Sequence, residues 1–467
     1  MKHMALMAVV LWVVIGSVAA TAAEAPALQV KMQRVIVYKD GYCMFVKQAT
    51  GKLDGSARAR IEGIPDSMVL GSFWVTPEDG KLVSLVAQKY VVTKRGNQET
   101  EKSMLLQFDP KAAGREVKLT LQYFSPGIRW IPTYRVDLGK DGKAGLAMQA
   151  EILNEAEDLE GVPVDLVVGV PNFRFKDVVS PISLESALRN LLQQVAPQLM
   201  TQSFSNFRMS ESRGGPGQAA PAGAAVPALP PELAAEGTQD LFVYHVPELT
   251  LEAGQRALVP IIAADIPFRH LYVWDVQLGR SGVEGLPEAG AHASPIKLLK
   301  NEVWHLAELS NQTSVPWTTG AALAMDGYLP VAQELLTYTS VGGKCQMPLT
   351  VAVDVRGTFS EKETAREPKA THFDNNDYSL ISKKGTLTVT NYKNEPIDLI
   401  VTCQLGGNAT SATDNGAITV TDFRQADWTG DFRGHPALTG HSTVEWQLTL
   451  KPGETKELSC EYAYYIR

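Results

Sequence analysis

The side chains best able to do chemistry in this chain are four cysteines, eight histidines and two acidic clusters. Cys43, Cys345, Cys403 and Cys460 contain no C-x-x-C pair, and their spacing fits no zinc or haem motif. Cys403 and Cys460 fall in two strand-like segments, in phase with the apolar face of each. They share that face with Ile397, Leu399 and Val401 on one segment and Leu458, Tyr462 and Tyr464 on the other. Two readings stand: a disulfide bridge, or a pair of small buried hydrophobes. His3, His245, His270, His292, His305, His372, His435 and His441 show no pairing at metal-ligand spacing on one element, so structural or solvent-exposed roles are expected. His435 and His441 sit with Asp427, Trp428 and Asp431 on the loop-rich stretch 425–441. Its polar and aromatic content makes it a candidate binding surface, weighed against an ordinary long loop.

The acids point to turns more than to metal. Asn154-Glu-Ala-Glu-Asp158-Leu-Glu-Gly161 carries four acids but has no linked histidine or second carboxylate cluster, and reads as a solvated connection. Asp374-Asn-Asn-Asp377 groups short oxygen donors but lacks the glycine and closing glutamate of a calcium loop. Gly440-His-Ser-Thr-Val444 lacks the second glycine of a nucleophile elbow, and Gly342-Gly-Lys-Cys345 lacks the upstream glycine and the hydroxyl of a P-loop. No H-E-x-x-H occurs, and no G-x-G-x-x-G joins a strand to a helix. The pattern implies no cofactor and leans away from an enzyme. Among the tryptophans, Trp130, Trp274 and Trp446 lie in strand-like segments, where a core role is the default. Trp317, in the turn-like Val315-Pro-Trp-Thr-Thr-Gly320, is the best candidate for an exposed ring.

The elements that must position these groups are mostly strands. Period-2 alternation dominates, punctuated by Asp-Gly, Lys-Pro-Gly and Glu-Ala-Gly turns. The expected fold class is mainly β: several antiparallel β-sandwich domains, the last immunoglobulin-like. Expected boundaries are a signal peptide at 1–23, an N-terminal β domain at 24–112, a middle β domain at 113–365 and a C-terminal sandwich at 366–467. The middle domain breaks the pattern twice. Leu184, Leu188, Leu191, Leu192, Val195 and Leu199 recur at helical spacing after the cap-competent Ser183, predicting an amphipathic helix over 183–200. Residues 201–240, rich in Gly, Pro, Ala, Ser and Gln, predict a disordered insert.

The N-terminal leader has a short polar start at Lys2-His3, an apolar run from Met4 to Ile15 and small residues through Ala23. Export to the periplasm or the exterior is the expectation, with no membrane span in the mature chain. The net charge is −8 and is spread along the chain, which argues against a nucleic-acid partner.

Several motifs in order resemble one known family. Trp130-Ile-Pro-Thr-Tyr134 is similar to the W-x-P-x-Y strand of the domain of unknown function 4139 family, also called mucoidy inhibitor A-like. Asn154 to Asp158 resembles its acidic turn, and Val315 to Gly320 its Pro-x-x-x-Gly turn, with Leu335-Leu-Thr-Tyr338 as the strand afterwards. Val37-Tyr-Lys-Asp-Gly41 with Ile61-Glu-Gly-Ile-Pro65 resembles the companion N-terminal domain. Val389-Thr-Asn391 and Lys451-Pro-Gly-Glu454 also fit. The chain departs from the family in lacking the coiled-coil insert and the tryptophan of the acidic turn. The resemblance implies an architecture and supplies no catalytic residues. The expected function is therefore an exported, non-enzymatic protein that binds an envelope or extracellular protein. A carbohydrate-binding or glycan-active protein, using Trp317 or Trp428 beside paired carboxylates, is the alternative.

Overall fold

The computed structural model describes residues 25–183, 241–278, 302–421 and 440–466, apart from positions 64, 66, 95, 96, 170, 171 and 374. The expected leader, the insert and all of the expected helix but Ser183 lie outside these residues. Ser183 sits in a turn, its hydroxyl donating to the Ser180 carbonyl at 3.1 Å.

The described chain is nearly all strand, as the alternation predicts. The N-terminal part holds β1 (Gln29–Tyr38), β2 (Tyr42–Lys52), β3 (Arg58–Glu62), β4 (Trp74–Pro77), β5 (Leu82–Lys94), β6 (Asn97–Phe108) and β7 (Glu116–Pro126). Next come β8 (Ile128–Leu138), β9 (Lys143–Asn154), β10 (Leu159–Val168), β11 (Phe242–Leu251) and β12 (Arg256–Leu278). β13 (Val303–Ser310), β14 (Gly320–Asp326), β15 (Leu329–Leu336) and β16 (Lys344–Val351) follow. The C-terminal part holds β17 (Val355–Phe373), β18 (Asn376–Asn391), β19 (Ile397–Leu405), β20 (Asn408–Ala412), β21 (Ala417–Thr421), β22 (His441–Leu450) and β23 (Thr455–Ile466).

One five-strand plan occurs three times. Its first two strands form a hairpin: β8–β9, β12–β13 and β17–β18. Its third and fourth form a second antiparallel pair: β10–β11, β14–β15 and β19–β22. Its fifth returns beside the second: β12 on β9, β16 on β13 and β23 on β18. The third strand of each unit also runs parallel to the first strand of the unit before it. β14 lies on β8 and β19 on β12, while β10 takes the equivalent place on β1. β12 therefore serves twice. Arg256–Pro267 closes one unit against β9, and Phe268–Trp274 opens the next against β13.

This interlocking runs across two of the expected boundaries. The boundary at 112 is crossed by a six-stranded sheet that joins β1, β2, β4 and β7 to β10 and β11, and the boundary at 365 falls inside β17. The sheets are mostly antiparallel, as expected, and three strand pairs among the described residues are parallel. Alternation shows where strands lie and not which strands pair. Val35 faces Val164 across the first parallel pair, far beyond any local pattern.

A buried asparagine ends the second strand of every unit. The Asn154 amide donates to the carbonyls of Glu157 (2.8 Å) and Leu251 (2.9 Å), and its side-chain oxygen accepts from Ala156 N–H (3.1 Å). Asn311 makes the same three bonds to Val315, Thr339 and Thr313, each at 3.0 Å. Asn391 repeats them with Glu395 and Leu450 as acceptors and Lys393 as donor. Each clamp satisfies carbonyls that the strand ends would otherwise bury unpaired. The acidic connection after Asn154 is thus not simply solvated: Glu157 accepts from Tyr123 Oη at 2.5 Å and pairs with Lys47, and Asp158 accepts from Ala253 N–H at 2.8 Å.

Two cores result. One runs through the N-terminal and middle units around Trp130 and Trp317, and the other fills the C-terminal sandwich around Trp274 and Trp446.

Candidate functional site

The tryptophan singled out for exposure is buried. Trp317 is 0% exposed, its indole N–H donates to Thr313 Oγ1 at 3.2 Å, and its backbone exchanges two hydrogen bonds with Thr339. The turn-like Val315–Gly320 segment folds inward onto β8, which its sequence alone could not reveal. Gly320 makes this approach possible: a Cβ there would lie 2.5 Å from the Pro132 carbonyl oxygen. Trp428 and His435 fall outside the described residues. His441 opens β22 half-buried, and burial lowers its pKa.

Cys403 and Cys460 are free thiols in this structure, both buried and facing each other across the C-terminal sandwich. The Cys403 thiol bonds to Cys460. That bond, and then burial, raise Cys403 well above the ordinary thiol range, while the same bond lowers Cys460. Burial also raises Cys43 and Cys345, so these remain inert thiols.

The segments resembling family motifs meet in one place. The Lys39 ammonium, on the β1–β2 turn, is 4% exposed and donates to Thr318 Oγ1 (3.2 Å) and the Thr319 carbonyl (2.7 Å). It lies 5.9 Å from the centre of the Trp130 ring. Burial pulls its pKa down to about 8. Tyr134 Oη donates to the Thr318 carbonyl at 2.7 Å, and Tyr244 Oη to the Pro316 carbonyl at 2.5 Å. These bonds tie the β1–β2 turn, β8, β11 and the 315–320 segment into one buried node.

Above Tyr244 lies a cavity of about 280 Å³ between β11 and the first half of β12. Its walls are apolar, from Val243, Tyr244, Pro247, Val259, Pro260 and Val315. Among the described residues, β11 pairs only with β10, and Arg256–Pro267 only with β9, so both strands turn an open edge to the cavity. Each edge carries a proline, Pro247 or Pro260, and each ladder shifts register nearby. Such edges resist strand addition, so the opening suits an inserted side chain better than a docked strand.

One polar residue, His245, lies among those around the cavity. His245 Nδ1 lies 2.6 Å from Asp165 Oδ1, and Arg34 Nη1 donates to Asp165 Oδ2 at 3.1 Å. Asp165 is 6% exposed, so its two partners balance a charge held nearly out of water. The short contact with the carboxylate holds the ring in one orientation. An Asp–His pair is two parts of a hydrolytic constellation, but no serine, cysteine or carboxylate lines the cavity. The arrangement places a held imidazole next to an apolar opening, with no nucleophile among the lining residues. This triad brings together strands β1, β10 and β11, and no sequence spacing signals it.

Two further features escape sequence reasoning. His270 and His305, read as scattered, lie ring to ring on β12 and β13, with burial lowering both pKa values, that of His305 to about 4. Trp74, on the edge strand β4, is 66% exposed, with its indole N–H donating to the Gly71 carbonyl at 3.2 Å. Among the described residues no group of three or more His, Cys, Asp and Glu is placed to hold a metal ion, and no helix is long and apolar enough to cross a membrane.

No family model matches the chain, and no curated protein matches it.

Proposed function

We propose that this is an exported, non-enzymatic interaction protein whose middle unit captures an apolar anchor side chain of an envelope or extracellular protein. The cavity between β11 and β12 carries this reading. It is apolar, open and about 280 Å³, with His245 among the residues around it. Binding hot spots combine an apolar pocket with a few fixed polar groups in this way. Val243, exposed to 45%, gives the wall an accessible lip, and Leu258, exposed to 63%, extends apolar surface beyond it. Export rests on the leader-like start of the sequence. Membership of the domain of unknown function 4139 family rests on the ordered motifs, and the contact of three of them around Lys39 supports it.

The glycan reading has Trp74 in its favour, since an exposed indole can stack on a sugar ring. Against it, Trp317 is buried and no carboxylate lines the cavity. The test is a photo-crosslinking amino acid at position 243 or 258, activated in the native envelope. One stoichiometric protein adduct is the expected result, and recovery of glycan alone refutes the reading.

A further inference from the structure

His270 and His305 stand side by side where β12 passes from the middle unit into the next one, on the strand faces that also carry the core residues Phe268, Tyr272 and Val303. His270 Nδ1 lies 2.9 Å from His305 Nε2. The register explains the approach. Tyr272 is directly opposite His305 on the antiparallel β12–β13 ladder, so His270, two residues away on the same face, is its diagonal neighbour. Each ring is held. Tyr272 stacks on His305 with centroids 4.8 Å apart and planes 11° from parallel. Phe268 meets His270 edge-on at 5.1 Å. Glu395 directs negative charge towards both imidazoles and Asp326 towards His270, while Lys393 opposes them.

We propose that His270 and His305 form a binding site for a divalent copper ion, with two protein nitrogens and water in the remaining positions. At the contact one nitrogen carries a proton and the other accepts it; with that proton moved to the far nitrogen of the donor ring, both facing lone pairs are free for a cation. Metal–imidazole bonds of about 2.0–2.1 Å closing on nitrogens 2.9 Å apart subtend about 90° at the ion. That is the cis angle of a square-planar or tetragonal centre, whereas a tetrahedral centre would need the nitrogens about 3.3 Å apart. Geometry therefore favours copper(II) over zinc, and the general affinity order of divalent ions points the same way. The packed rings pre-organise the pair, so little side-chain freedom is lost on binding.

The test uses the full chain carrying His3→Ala, so that the amino-terminal segment offers no imidazole. Copper(II) sulfate is titrated in a non-coordinating buffer and followed by electron paramagnetic resonance. The expected result is one saturable equivalent whose signal shows coupling to two nitrogens, with zinc(II) a weak competitor. His270→Ala, at an exposed position, should weaken binding at least tenfold while leaving the metal-free melting curve in place. His305→Gln, which keeps a polar side chain of similar reach, should give the same loss. Equal copper affinity in the parent and both variants, or a saturable signal without two-nitrogen coupling, overturns the proposal.

Discussion

The backbone N–H of Gly453 donates to the carbonyl of Asn391 at 2.8 Å, while Asn391 N–H donates to Glu454 at 3.0 Å. The same exchange joins Gly254 to Asn154 (2.7 Å) and Gly342 to Asn311 (2.8 Å). Each glycine has a positive φ, 86°, 79° and 72° in chain order, as its tight turn requires. Asparagine and glycine together lock the turn before the fifth strand onto the end of the second.

Asn391→Ala should therefore destabilise the protein by roughly 2–4 kcal/mol, because the carbonyls of Glu395 and Leu450 and the amide of Lys393 lose their partner inside the fold. Urea unfolding measures it. A loss below about 0.5 kcal/mol, the scale of surface substitutions, would show that the clamp is dispensable.

Gly453→Ala should cost roughly 1 kcal/mol, and the cost should come from backbone strain alone. A Cβ at Gly453 meets nothing within 4 Å. Gly453→Asn should recover part of the loss, since asparagine tolerates the left-handed region better than alanine. Equal stability of the two variants would remove strain as the cause.

Lys39 gives the protein a pH signature. Its pKa is about 8 in the fold against 10.5 ordinarily. Between those values the unfolded chain holds a proton that the folded chain has released, so stability rises with pH across that window. Below about pH 8 the full penalty of the buried charge is present, roughly 3 kcal/mol. The difference in unfolding free energy between wild type and Lys39→Met should accordingly shift in favour of wild type from pH 7 to pH 10.5. A pH-independent difference contradicts the assignment.

For Cys403 and Cys460 the proposal is a disulfide formed by exchange with a donor disulfide, which is reduced to two thiols as the protein loses two hydrogens. Incubation with oxidised glutathione should lower the intact mass accordingly and stabilise the fold by roughly 2–4 kcal/mol. Cys403→Ser should abolish both effects. With the bridge formed only Cys43 and Cys345 should titrate after unfolding; four titratable thiols would return the pair to the role of buried hydrophobes.

Val243→Arg tests the cavity. The side chain lines the opening and is 45% exposed, so a charged replacement should leave the melting curve within about 0.5 kcal/mol of wild type. It should abolish the crosslinked adduct obtained from position 258. An undiminished adduct would place the partner elsewhere.

The strands, most turns and the core tryptophans were legible in the sequence, because alternation and Gly-containing turns are local signals. Trp130, Trp274 and Trp446 are buried as their strands imply. The repeated plan was not legible. The separation from clamp asparagine to turn glycine changes from 100 residues to 31 and then 62, so no fixed period exists. Gly342-Gly-Lys-Cys345, notable in the sequence only as a failed P-loop, is the second unit's glycine turn. The Asp165–His245–Arg34 triad and the His270–His305 pair depend on which strands become neighbours. Hydrophobic pattern marks where strands lie and leaves their partners open, whether the pair is parallel, like β1 and β10, or antiparallel across long stretches of chain, like β10 and β11. Trp317 was misplaced for a related reason: a polar-looking turn was buried by a glycine that lets it touch β8.

The continuity of β12 has a mechanical consequence. Its first half is bonded to β9 and its second to β13 and β19, with no break at the passage between units. Tension applied between the middle and C-terminal units runs along this strand and loads both ladders in shear, where many hydrogen bonds share the force at once. Beads on a string would yield one at a time at their linkers. Here there is no linker to yield, and the two units resist pulling as a single girder.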